Sequence, residues 1–161
     1  MEPVHPDLAS LTFLIGEWAG EGRGRYPTVE DFSYRETATF VAPPGKPFIV
    51  YRQRTWRIGD HSESGAPLHS EAGYLRPDGT GGIEMVIAQP TGITEVLHGS
   101  VTGTSIALLS TTVATTATAL EVGSVERNIT VDGDELRYEL RMAAVGQPNQ
   151  VHLEAILDRV R

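Results

Sequence analysis

The sequence predicts an all-β protein, a ten-stranded antiparallel β-barrel with a short N-terminal helical turn. Two observations favour this fold class. Apolar and polar residues alternate with a period of two through most of the chain, and turn-forming Gly, Pro and Asp residues recur at the spacing of short strands. Short antiparallel strands without crossover helices close most easily into a barrel, and about ten strands can enclose a ligand.

The N-terminal segment is predicted to form one helical turn, with Asp7 or Ser10 as its cap. Turn signals such as Pro77-Asp78-Gly79 and Asp132-Gly133-Asp134 then separate the candidate strands. The predicted strands are 14–26, 32–42, 47–58, 67–76, 81–88, 92–102, 104–111, 113–120, 122–131 and 134–144, with a last one at 149–160. The Thr/Ala-rich stretch "STTVATTATA" (110–119) is predicted to be either a regular strand pair or the loosest part of the fold.

The composition limits the classes of function. A chain of 161 residues is predicted to form a single domain over residues 1–161. Its 13 Lys and Arg against 21 Asp and Glu give a net charge of -8, which argues against a nucleic-acid partner. There is no cysteine, and no window approaches the roughly 20 apolar residues that span a bilayer. We therefore expect a soluble, cytoplasmic protein that does not bind membranes.

The stretch "LIGEWAGEGRGRYPT" (14–28) contains several glycines, but it does not match a phosphate-binding loop. Such a loop needs a helix after its glycines, whereas Gly20, Gly22 and Gly24 alternate at strand period and lead into "RYPT". Glycines at strand period indicate either a bent strand at a barrel corner or room for a wide planar group. The residues alone leave both interpretations open.

The five histidines are scattered singly, which argues against a structural zinc site. A single histidine can still hold haem, because haem needs only one axial imidazole and takes the rest of its affinity from an apolar cavity. We expect His5 and His61 to be solvated and His98 to pair across a strand.

Several segments, taken in order, resemble the nitrobindins. "GEWAGEG" (16–22) has the family signature G-x-W-x-G-x-G on Gly16, Trp18, Gly20 and Gly22 and runs on into "RGRYPT". The other matching segments are "GKPFIVYRQRTW" (45–56), "PLHSEAGYLR" (67–76), "GITEVLHG" (92–99), "DGDELRYELRMAAVGQP" (132–148) and "HLEAIL" (152–157). The resemblance implies a barrel that binds ferric haem b, isomerises peroxynitrite to nitrate and takes nitric oxide as a further ligand.

The resemblance also implies roles for individual residues. His152 would be the axial ligand of the haem iron, and Thr28 would lie beside the haem. His69 would lie on the distal side, next to Leu68, where some family members carry Met. No further catalytic residue is implied beyond the iron.

We also expect particular positions for Trp18 and for three arginines. Trp18 is expected to plug the closed end of the barrel, as such residues do in ligand barrels generally. For Arg23, Arg25 and Arg127, contact with the haem propionates and a place on a solvated rim explain the sequence equally well.

Two questions stay open in the sequence. In "VHLEAILD" (151–158) simple alternation puts His152 on the face opposite Val151 and Leu153, unless the cavity is polar or a bulge near Pro148 shifts the parity. The function also has alternatives: a metal-free carrier of an apolar small molecule, like lipocalins or fatty-acid-binding proteins, or a haem-based sensor of nitric oxide or peroxynitrite. A homodimer is compatible with each of them.

Overall fold

The computed structural model describes residues 3–59 and 64–161. His61, which was expected to be solvated, lies outside the described residues. One 3-10 helix, η1, precedes ten strands. The elements are η1 (Pro6–Leu14), β1 (Gly16–Tyr26), β2 (Val29–Val41), β3 (Ile49–Ile58), β4 (Pro67–Pro77), β5 (Ile83–Ala88), β6 (Ile93–Thr102), β7 (Ser105–Thr115), β8 (Val122–Asp132), β9 (Glu135–Ala144) and β10 (Gln150–Arg159).

The ten strands form a closed antiparallel barrel in which each strand pairs with its neighbours in sequence, and β1 closes the ring against β10. The predicted fold class is therefore confirmed. Within the described ranges, no helix is long and apolar enough to cross a membrane.

One part of the predicted strand pattern was wrong. The segments 104–111 and 113–120 are not two strands, because β7 runs without a break to Thr115. A register shift opposite Val96 and Leu97 absorbs one extra residue, so β7 bends and continues instead of ending. The rest of the Thr/Ala-rich stretch forms a turn in which the Ala119 N–H donates to the Thr116 carbonyl at 3.2 Å.

The helix η1 closes one end of the barrel. Leu8, Leu11 and Leu14 are fully buried there, together with Trp18. The Trp18 indole N–H donates to the Leu14 carbonyl at 3.0 Å, and the Arg159 guanidinium lies 4.2 Å from the centre of the Trp18 ring. The expectation that Trp18 plugs the closed end is confirmed.

The predicted cap of this helix was wrong. His5, which was expected to be solvated only, is the residue before η1, and its Nδ1 accepts from the Asp7 N–H at 3.2 Å. Pro6 has no N–H, so the first donor that needs a partner is that of Asp7, and His5 is the side chain placed to accept from it.

The glycines of β1 make room for other parts of the protein. A Cβ atom at Gly22 would overlap the ring of Tyr34, and one at Gly24 would overlap the ring of Phe32, both on the neighbouring strand β2. A Cβ at Gly20 would meet the backbone of β10. The flat groups that these glycines accommodate are therefore side chains of the barrel itself.

Candidate functional site

A cavity of about 550 Å³ opens at the end of the barrel opposite η1. This volume lies within the range of small-molecule and cofactor sites. Most of its wall is apolar, and its mouth includes the exposed Val29 and Leu120. The apolar side chains of the wall include Phe32, Leu68, Ile93, Val122, Val125, Leu140, Met142 and Leu153.

His152 faces this cavity because of a β-bulge in β10. The pairing with β9 passes from Val151, opposite Arg141, to Leu153, opposite Leu140, so His152 is an extra residue in the ladder. His152 and Leu153 consequently both line the cavity, although they are adjacent in sequence. A bulge thus shifts the parity, which was one of the two alternatives that the sequence left open.

A second bulge, in β1, completes this arrangement. The pairing of β1 with β2 shifts between Gly24 and Tyr26, and Arg25 has no partner in that register. Its carbonyl oxygen accepts from Nδ1 of His152 at 3.0 Å. A carbonyl can only accept, so the proton of the neutral imidazole lies on Nδ1 and Nε2 keeps its lone pair.

The His152 ring is also held by aromatic contacts. The rings of Tyr26 and Phe32 meet it edge-on, with centroids 5.3 and 6.4 Å away. Burial lowers the pKa of His152 below its ordinary value, against the effect of the bond to the Arg25 carbonyl, which raises it. This partly buried imidazole is therefore oriented and biased towards its neutral form, the form in which Nε2 binds metals.

His69 and Thr28 line the same cavity. Nε2 of His69 lies 3.4 Å from a carboxylate oxygen of Glu71, and Leu68 also reaches the wall. Thr28 follows β1 in the tight turn to β2 and is exposed at the rim. The three residues that the resemblance singles out, His152, His69 and Thr28, are therefore brought to one cavity from β10, β4 and the β1–β2 turn.

Arg127 is not where the sequence suggested. Its side chain is only 11% exposed and lies inside the barrel, away from any solvated rim. It binds Glu71 through two hydrogen bonds of 2.9 Å and Glu95 through bonds of 3.0 and 2.7 Å. Burial acts to raise the pKa of the Glu71 carboxyl, but Arg127 and His69 outweigh it and hold that pKa well below its usual range.

A second buried polar group was also missed. The Tyr138 hydroxyl donates to the Glu36 carboxyl at 2.5 Å, and the Tyr34 and Tyr138 oxygens are 2.6 Å apart. Glu36 is 2% exposed, and burial raises its pKa to about 8. The signal that could have found Glu36 is its position in the alternation of β2, where it shares the inward face with Tyr34 and Ala38.

The remaining candidates lie outside the cavity. His98 binds Asp78 at 2.9 Å, so its partner is in the β4–β5 turn and not across a strand as expected. Arg25 pairs with Glu154 at 3.8 Å on the outer surface, and Arg23 lies in the same external groove.

The fold and the cavity define a class: a β-barrel closed at one end that presents the oriented imidazole of His152 into a large apolar cavity. The chain belongs to the THAP4-like, heme-binding beta-barrel family, whose model matches residues 7–159. The resemblance to the nitrobindins is thereby confirmed.

Curated relatives match the whole chain. "Peroxynitrite isomerase 1" of Mycolicibacterium paratuberculosis is 49% identical over 162 residues, covering 98% of each chain. "Peroxynitrite isomerase 2" of Mycobacterium marinum is 46% identical, covering 97% of this chain and 96% of its own. The crystal structure of Rv2717c from M. tuberculosis superposes with a TM-score of 0.89 at 46% identity, covering 99% of this chain and 100% of that one.

Proposed function

We propose that this protein binds ferric haem b in the cavity at the open end of the barrel and isomerises peroxynitrite to nitrate. The family is haem-binding, and relatives at 46 to 49% identity over nearly their full length are named peroxynitrite isomerase. The observation that carries the assignment of the site is the bond between Nδ1 of His152 and the Arg25 carbonyl, which leaves Nε2 free.

In this proposal His152 holds the iron through Nε2. Metal-binding histidines commonly donate their other ring N–H to a carbonyl or carboxylate, which fixes the tautomer and the ring orientation. The Arg25 carbonyl provides that acceptor, and Tyr26 and Phe32 restrict ring rotation. The apolar wall would exclude water from the faces of the macrocycle, and Thr28 would lie at its edge.

Bound ferric haem would supply a Lewis-acidic metal that attracts the peroxynitrite anion and weakens its O–O bond. The role proposed for this chain is to hold the haem through His152 and to confine the anion in the apolar cavity. His69 would donate one hydrogen bond to the anion through Nε2, and this bond would replace the present 3.4 Å contact of that nitrogen with Glu71, because a neutral imidazole has only one N–H. The net charge of -8 does not prevent entry, because distant carboxylates are screened over about 10 Å at ordinary salt.

The test compares ferric protein, haem-free protein and His152→Ala in stopped-flow decay of peroxynitrite, with nitrate measured at the end. Only the ferric wild-type protein should accelerate decay and raise the nitrate share. Equal rates in all three samples would favour the metal-free carrier or the haem-based sensor instead.

A haem titration followed by the haem absorption band tests the axial ligand separately. His152→Ala should weaken haem binding far more than His69→Ala, because only the first removes a bond to iron and the second removes a hydrogen bond of about 1 kcal/mol. The wild-type protein should bind close to one haem per chain. A larger loss in His69→Ala would mean that the two histidines have exchanged roles.

The proposal includes nitric oxide as a second ligand of the same site, because a small diatomic molecule needs only an open position on the iron. A cytoplasmic location is part of the proposal and stays a prediction. A homodimer stays a prediction.

A further inference from the structure

A chain of three hydrogen-bonding groups runs from the cavity wall into the barrel core. Tyr34 lines the cavity and is 1% exposed. Its hydroxyl oxygen lies 2.6 Å from that of Tyr138, which in turn lies 2.5 Å from Glu36 Oε2. The proposed chemistry of the haem site uses none of these groups.

The innermost group of the chain is surrounded by polar side chains from several strands. Glu36 on β2 is faced by Gln53 from β3, Glu71 from β4, Arg127 from β8 and Tyr138 from β9. Burial is the largest influence on its pKa and the Glu71 carboxylate adds to it, while Arg127 and the hydrogen bonds from Tyr138 and Gln53 act in the opposite direction. Because Arg127 is already bound to Glu71 and Glu95, Glu36 forms no ion pair within the part of the chain that the structure describes.

Beside this group lies a chamber of about 40 Å³, which shares Gln53 and Glu71 with the wall of the main cavity. Its polar lining includes Glu36, Tyr138 and Gln53, and Gln53 also reaches the main cavity. The side-chain oxygen of Gln53 is buried and has no hydrogen-bond partner among the described residues. The Glu36 carboxyl therefore lies next to an unused acceptor and at the end of two phenols.

We propose that Glu36 stores a proton inside the barrel and that Tyr138 and Tyr34 carry this proton to and from the haem cavity. The identity of the molecule in the cavity rests on the proposed function, whereas the row of hydrogen-bonding groups from Glu36 to Tyr34 does not. It would let the cavity bind a ligand whose free and bound forms differ by one proton without opening the barrel core to water.

The transfer moves three protons, each along one hydrogen bond of the path. The Glu36 O–H gives its proton to the Tyr138 oxygen, Tyr138 gives its own proton to Tyr34, and Tyr34 gives its proton to an anion or water in the cavity. Three O–H bonds break and three form, and Glu36 is left as a carboxylate that accepts from Tyr138, the direction seen in the structure. Uptake of a proton reverses each step.

The test follows the infrared carbonyl band of the protonated Glu36 carboxyl after a pH jump from about 6 to about 10, on either side of its pKa of about 8. The full chain is measured with and without haem. Glu36→Gln should lack the band. Tyr34→Phe and Tyr138→Phe should lose it at least about tenfold more slowly than the wild type, since each removes a hydroxyl through which the proton must pass.

Tyr51→Phe is the matched control. Tyr51 is another buried phenol of the core, it donates to Glu71 at 3.0 Å, and it does not line the main cavity. Its removal should leave the rate unchanged.

Three results would overturn the proposal. They are equal rates in all the tyrosine variants, slowing confined to Tyr138→Phe, and a band that survives in Glu36→Gln. A protein that fails to take up haem would contradict the proposed function alone, because the haem-free samples still test proton transfer from Glu36 through Tyr138 and Tyr34.

Discussion

The Glu36 carboxyl makes the stability of the protein depend on pH. Its pKa is raised from the ordinary value of 4.5 to about 8, mainly by burial. The folded state therefore binds more protons than the unfolded chain between these two values, and the contribution of Glu36 to stability is lost as the pH rises towards 8. One such group changes the free energy of unfolding by about 1.4 kcal/mol per pH unit.

We predict that Glu36→Gln removes most of the decrease in the free energy of unfolding between about pH 7 and about pH 8. Urea unfolding at about pH 7 and about pH 8 measures it best, because the lowered pKa of His152 acts in the opposite direction only at more acidic pH. Glu84→Gln, on the outer face and 48% exposed, is the control and should keep the wild-type slope. A slope that is the same in all three proteins would mean that Glu36 is ionised in the folded state.

At the scale of the strand, the glycines of β1 set how closely the aromatic rings of β2 can approach. Tyr34 cannot turn away from Gly22, because it is almost fully buried and hydrogen-bonded to Tyr138. An added methyl group at this position must therefore displace either a packed ring or the backbone of β10.

We predict that Gly22→Ala lowers the free energy of unfolding by about 1–3 kcal/mol, the usual cost of overpacking a core. Gly123→Ala on β8 is the matched control, since its Cβ would meet only the Ala143 carbonyl at 3.5 Å, an ordinary contact. Chemical denaturation of both variants provides the comparison. Equal stability of the two would show that β1 has room to spare at Gly22.

Across the whole barrel, the packed plug and the binding cavity lie at opposite ends. Trp18 and Tyr26 lie on the same strand, eight residues and about 26 Å apart at roughly 3.3 Å per residue. Trp18 belongs to the plug formed with η1 and Arg159, whereas Tyr26 belongs to the wall of the cavity.

We therefore predict that Trp18→Phe lowers the free energy of unfolding by about 1–3 kcal/mol, because it removes a buried hydrogen bond and weakens the cation–π contact with Arg159. The haem affinity of the folded protein should not change. Thermal unfolding and a haem titration of the same preparation measure the two properties. A loss of haem affinity comparable to the loss of stability would contradict this separation of the two ends.

Much of the fold could be read from local pattern. Period-two alternation indicates which face of a strand is buried: Leu136, Tyr138 and Leu140 alternate with charged residues in the sequence and all face inward in β9. The break expected near residue 112 failed because threonine and alanine carry little burial signal and a bulge needs no turn residue. The cavity residues His152, His69 and Thr28 were found through family resemblance and not through alternation.

The fold class and the order of the strands could be predicted from the amino-acid sequence, because alternation and turns depend on residues close together in the chain. The position of His152 could not be predicted in this way, since it follows from two bulges on adjacent strands and a carbonyl 127 positions away. The same holds for the burial of Arg127 with two carboxylates and for the contact of Glu36 with Tyr138, 102 positions along the chain. Buried polar groups form hydrogen bonds with side chains from other strands of the barrel. Alternation along one strand specifies which face a residue lies on but not which residues are its neighbours there.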